Sequence, residues 1–135
     1  MMNILITVAH PDDETIGMGG TIKKLSKNNE ITLCVMTDGA SAQYDGKKMI
    51  KVRQDACKKA GKILGISKFH FLNFPDMKLD SISHVEMNKE LEKIIKKFNP
   101  KILYSTSYND LNKDHQKVFD SCSVVSRPIS SKIKQ

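Results

Sequence analysis

The chain has no tryptophan, only two arginines, only three cysteines and no long apolar run. Each scarcity excludes something. A membrane-spanning helix needs about 20 consecutive apolar residues, so no transmembrane segment is expected. Met1-Met2-Asn3 leads straight into a strand-like run rather than a basic-then-apolar leader. No signal peptide is therefore expected, and the cytoplasm is the expected compartment. Cys34, Cys57 and Cys122 are odd in number, far apart and without a C-x-x-C pair. They read as reduced, buried thiols with no chemistry of their own. The net charge of +7 rests almost wholly on lysine. Scattered lysines, without the planar forks that grip phosphates and guanines, argue against a nucleic-acid partner. Solvated helix faces or an anionic substrate account for them instead.

What is present suffices for one domain with a real core: 135 residues, 39% hydrophobic and 27% charged. Four apolar runs read as strands: Asn3 to Val8, Ile31 to Met36, Phe69 to Phe74, and one beginning at Ile102-Leu103-Tyr104. The first two are unbroken by polar alternation, as in parallel sheets buried on both faces. Helical patterns fall between and after the strands. Thr15 to Lys27 is interrupted by Gly17, Gly19 and Gly20, which predicts close backbone approach. Lys51 to Leu64 carries Val52, Ala56, Ala60, Ile63 and Leu64 on its buried side and ends at Gly65. Ser83 opens His84 to Phe98, with Val85, Leu91, Ile94, Ile95 and Phe98 as the stripe. The last helix opens at Lys113-Asp114-His115 and runs to about Val125. Ala40 to Lys48, with Ser41, Tyr44 and Gly46, reads as a mobile loop, and 127–135 as a loosely ordered basic tail. The expected fold is α/β: a three-layer, Rossmann-like domain with a mostly parallel sheet flanked by helices. The incomplete G-x-G-x-x-G pattern excludes a dinucleotide site.

Such a sheet puts its strand ends on one rim, and there the chemistry collects. Ala9-His10-Pro11-Asp12-Asp13-Glu14 follows the first strand, with Asp38, Asp76 and His115 on the same rim. An imidazole and three carboxylates crowded in one turn repel one another unless a cation or a proton compensates, and a divalent metal is the economical explanation. His10, Asp13 and His115 together make two imidazoles and a carboxylate, the three-ligand pattern of a catalytic zinc site with an open position. Another divalent metal would also satisfy it. Asp12 points elsewhere and is placed to act as a base; the rival reading makes it a helix-capping carboxylate. Asp114 is expected to orient a neighbouring group by hydrogen bonding. His70, between Phe69 and Phe71, and His84 read as structural.

These motifs resemble the PIG-L/LmbE-like zinc-dependent N-acetylglucosamine deacetylases. The likeness runs in family order through residues 9–14, Gly17-x-Gly19-Gly20-Thr21, Thr37-Asp38-Gly39, Arg53, Ala60, Leu64-Gly65, Pro75-Asp76, Asp110 to His115 and Arg127-Pro128. The resemblance implies that His10, Asp13 and His115 hold zinc, that Asp12 is the general base, and that Arg53 faces the substrate. Asp38 and Asp76 are expected on the substrate side with it, and Asn112 and Asp114 in the catalytic group. The implied reaction removes acetate from an N-acetylated amino sugar or sugar conjugate. The chain departs from the pattern in three ways. Asn112 stands where many members have a histidine, so an amide donor would face the oxyanion; Thr106-Ser107 likewise stands where a histidine often precedes the motif. Ala56 replaces a frequent glutamate. The sequence also stops soon after the last motif, so the C-terminal part of the family domain is expected to be missing. An alternative reading is a metal- or carbohydrate-binding module of the same fold without turnover. Self-association into a homo-oligomer is left open.

Overall fold

The computed structural model describes residues 1–45, 47–129 and 131–134. Gly46, expected in a loop, and Ser130 and Gln135, expected in the tail, lie outside the described residues. Four strands, β1 (Asn3–Val8), β2 (Glu30–Thr37), β3 (Lys68–Phe74) and β4 (Ile102–Tyr104), form an all-parallel sheet in the order β3-β2-β1-β4. Four helices, α1 (Asp13–Leu25), α2 (Lys47–Leu64), α3 (His84–Phe98) and α4 (Lys113–Val125), cover it, with a short turn at Leu79–Ser81.

Successive residues of a strand point to opposite faces, and β1 shows why its run is unbroken. Ile4, Ile6 and Val8 pack toward α1 and α2 with Ile22, Leu33 and Cys57. Leu5 and Ala9 pack toward α3 and α4 with Met87, Leu91, Val118 and Cys122. All three cysteines are free and buried, as expected.

The helices differ from expectation in detail. α2 begins at Lys47, not Lys51, which leaves Ala40 to Asp45 as a compact turn. Val52, Ile63 and Val85, expected in buried stripes, are exposed. α2 rests on the sheet through Cys57 and Gly61 instead; a Cβ at Gly61 would come 2.5 Å from the Phe69 ring. The small residue, not the branched one, marks the contact. In α1, a Cβ at Gly17 or Gly20 would meet no atom within 4 Å, so close approach is not their role. The helix breaks at Met18, between Gly17 and Gly19, where φ is −147° and ψ 22°. The tail is also placed: Ile133 packs on the core and Lys134 donates its N–H to the Lys101 carbonyl at 2.9 Å. Among the described residues no helix is long and apolar enough to cross a membrane.

The strand order fixes the address of the site. The chain moves outward from β1 to β2 and β3, then returns to the other side of β1 as β4. Open α/β sheets bind ligands at such a reversal, beyond the carboxyl ends of the strands.

Candidate metal centre

At the end of β1 the chain turns at Pro11, and the His10 carbonyl accepts the N–H groups of Asp12 and Asp13 at 2.9 and 3.3 Å. The turn brings the Asp13 carboxylate back onto the His10 N–H at 2.8 Å. Across the reversal, Asn112 caps α4: its side-chain oxygen accepts the N–H groups of Asp114 and His115 at 2.9 and 3.4 Å. That cap sets Asp114 and His115 on the first turn, facing the end of β1.

Three donor atoms then converge. His10 Nδ1 lies 3.2 Å from His115 Nε2, His115 Nε2 lies 3.1 Å from Asp13 Oδ2, and His10 Nδ1 lies 3.5 Å from Asp13 Oδ2. Zinc bonds of about 2.0–2.2 Å in a tetrahedron imply ligand–ligand edges of roughly 3.3–3.6 Å. The residues fit a divalent ion. A second grouping, His10 with Asp76 and Asp114, uses the other nitrogen of the same ring. Its carboxylates are 4% and 1% exposed, and those of Asp114 already accept the N–H groups of Met77 and Leu79 at 2.8 and 3.0 Å. It is a support for His10 rather than an open site. The His10–Asp13–His115 triangle, by contrast, borders a groove of about 420 Å³ that Asp13 and His115 line. Small-molecule sites fall in the range of about 300–1,000 Å³.

The electrostatics follow from this crowding. Burial alone would push His10 down, yet hydrogen bonds and charges from Asp114 and Asp13 hold it up to about 10. Burial likewise opposes the ionised Asp13 and Asp114. The His10 contacts and the backbone donors outweigh it, and both carboxyls are lowered. Asp76 is raised, chiefly by burial, with Asp38 and Asp114 adding repulsion against the pull of His10. Without metal, a protonated His10 gives one N–H to Asp114 and the other toward His115 and Asp13.

Asp12 stands at the N-cap of α1, but its side chain makes no capping hydrogen bond. Its carboxylate, 47% exposed, accepts Arg53 Nη2 at 3.0 Å, while Arg53 Nη1 donates to the Gly39 carbonyl. Gly39 has φ +66°, and a Cβ there would lie 2.3 Å from Pro11 Cδ, so no other residue lets the two turns meet. Arg53 thus sits beside Asp12 on the rim.

Three expected roles meet a different geometry. Asp38 Oδ1 accepts the N–H groups of Ala40 and Ser41, both at 2.9 Å, so it closes the turn after β2. Asp76 is buried against His10 at 3.3 Å. The Asn112 oxygen is engaged in the cap and its Nδ2 points to Met77 Sδ at 3.7 Å, so no oxyanion donor is aimed from there. Asp110 was missed by the sequence reading: its Oδ2 lies 2.7 Å from His115 Nδ1. It opened the Asp110 to His115 motif, but its place five residues before a candidate ligand, a spacing with no periodic meaning, assigned it no role.

Comparison with known proteins identifies the family. Residues 5–124 match the family model described as PIG-L, GlcNAc-PI de-N-acetylase. A diacetylchitobiose deacetylase of Thermococcus kodakarensis is 35% identical over 105 residues, covering 74% of this chain and 39% of that one. The uncharacterized deacetylase YaiS of Escherichia coli is 34% identical over 135 residues, covering 93% and 69%. The solved N,N'-diacetylchitobiose deacetylase of Pyrococcus horikoshii superposes with a TM-score of 0.81 at 29% identity, over 97% of this chain and 52% of that one. The chain spans about half the length or less of the diacetylchitobiose deacetylases it matches, and 69% of YaiS. With the family model covering residues 5–124 of its 135, the chain belongs to the PIG-L family of de-N-acetylases.

Proposed function

We propose that this chain carries the catalytic centre of a metal-dependent amide hydrolase that removes acetate from an N-acetylated amino sugar. The observation behind it is the His10–Asp13–His115 triangle with a further carboxylate, Asp12, held by Arg53 in the same turn. Zinc is the metal that two imidazoles and one carboxylate best suit; bound there, it would supply Lewis acidity toward the attacking water and the amide carbonyl.

The protein's own groups do the rest. His10, Asp13 and His115 hold the ion. Asp12 takes the proton of the attacking water and is placed to return it to the departing amine. Arg53 holds the Asp12 carboxylate in position. Asp114 and Asp76 hold the His10 ring from behind. Ile6, Val8, Ile16 and Met18 give the groove an apolar wall, against which a sugar ring or its apolar substituent can lie. The diacetylchitobiose deacetylases among the relatives make N-acetylglucosamine units the first substrates to try. Three buried, free thiols suit a reducing compartment, the cytoplasm.

The test is acetate release from N-acetylglucosamine and N,N'-diacetylchitobiose by the protein loaded with one equivalent of zinc. Release that stops on chelation and returns with zinc is expected. Tight zinc binding with no acetate released from any N-acetylated amino sugar would overturn the proposal.

A further inference from the structure

A neutral imidazole carries one N–H, so a histidine that ligates through one nitrogen must keep its proton on the other. In the triangle His10 points Nδ1 inward and His115 points Nε2 inward. The proton of His115 must therefore sit on Nδ1, and that nitrogen lies 2.7 Å from Asp110 Oδ2. We propose that Asp110 is a positioning residue that locks His115 in the Nδ1–H form and so leaves Nε2 bare for the metal. The inference rests on the metal-centre reading above.

Asp110 is built for this. Its Oδ1 accepts the Asn112 N–H at 2.9 Å, its own N–H reaches the Ser107 carbonyl at 3.4 Å, and its carbonyl accepts Gln116 Nε2 at 2.6 Å. The carboxylate bridges two donors, the Asn112 amide and the His115 ring, and each oxygen answers one. Only an acceptor-only group can do so. Asparagine has the same shape but one oxygen and one NH₂. Whichever way it turned, it would present a donor to a donor, and the cheapest relief is for His115 to move its proton to Nε2. That is the nitrogen the metal needs. Carboxylate partners of ligating histidines typically change metal affinity by about 10- to 100-fold when removed. Asp114 does the equivalent for His10, but it is 1% exposed and also anchors Met77 and Leu79, so its loss would disturb the fold. Asp110 stands at the groove rim, with its side chain 38% exposed, and its two functions can be separated.

The experiment measures zinc affinity by competition with a chromophoric chelator for the wild type, Asp110→Asn, Asp110→Ala and Asp110→Glu. Ring ¹⁵N spectra of His115 are taken on the same proteins without metal. We expect Asn and Ala each to weaken zinc roughly 10- to 100-fold, Glu to recover part of the loss, and Asn to shift His115 toward the Nε2–H form. Zinc affinities within twofold of wild type in both Asn and Ala would overturn the proposal. So would an Nε2–H ring in the metal-free wild type, whatever the variants do. A wild type that binds no zinc would sink the metal-centre reading itself, a result distinct from either.

Discussion

His10 is the residue on which the centre turns. Held up to about 10 by Asp114 and Asp13 against the opposing effect of burial, it is protonated at pH 7 in the metal-free protein. Its Nδ1 must lose that proton to ligate. Zinc binding at pH 7 is therefore expected to release about one proton from His10, and affinity to fall about tenfold per unit as pH is lowered. Calorimetric titrations in buffers of different ionisation enthalpy give the proton count directly; a count near zero would mean that His10 is neutral before metal binds. The sign for folding is opposite. A raised pKa makes the His10 contribution to metal-free stability complete below about 6.5 and lost as pH climbs through about 10.

At the scale of the element, the N-terminus of α4 decides whether His115 reaches the site. Asn112→Ala removes an oxygen that accepts two backbone N–H groups and is expected to cost about 1 kcal/mol. Asn112→Asp keeps the acceptor and should lose little. Urea denaturation of the metal-free proteins compares them, and equal loss in both would show that the cap is not what holds the turn. The elements themselves were largely legible beforehand. Unbroken apolar runs gave β1 and β2, Asn99-Pro100 closed α3, and Lys113-Asp114-His115 opened α4 where expected. Contacts made by small residues were not legible: α2 leans on the sheet through Gly61, while Val52 and Ile63 face solvent. The candidate ligands were readable because their chemistry is unusual at the end of a strand. The roles of Asp38, Asp76 and Asp110 were not, since a carboxylate that closes a turn, one that props a ring and one that faces a substrate are the same letter. Only the partner atom distinguishes them.

Across the whole molecule, acid should act at a second place, on β3. His70 on β3 stacks on Phe98, with ring centroids 4.9 Å apart. Its pKa is lowered, first by burial and then by Lys97 and Lys68. A lowered pKa means that the folded protein binds fewer protons than the unfolded chain. The His70 contribution is therefore full above the ordinary value of 6.5 and is lost as pH falls below it. Thermal melts of the metal-free protein from pH 7 to 5 should drop, and His70→Gln should flatten that drop. An unchanged slope in the variant would move the cause elsewhere. The sheet ties these regions together: β3 carries His70 at one edge, and the β1–β4 reversal carries the ligands at the other.

The most direct test of the central claim compares acetate release by the zinc-loaded wild type and its Asp12→Asn variant, with zinc content measured in both. Asp12 contacts Arg53 and none of the three ligand atoms, so the variant should keep its zinc. It should lose activity by about 10²- to 10⁴-fold, the usual contribution of a general base. A variant that holds zinc and still releases acetate at the wild-type rate would contradict the assignment of Asp12 and the mechanism built on it.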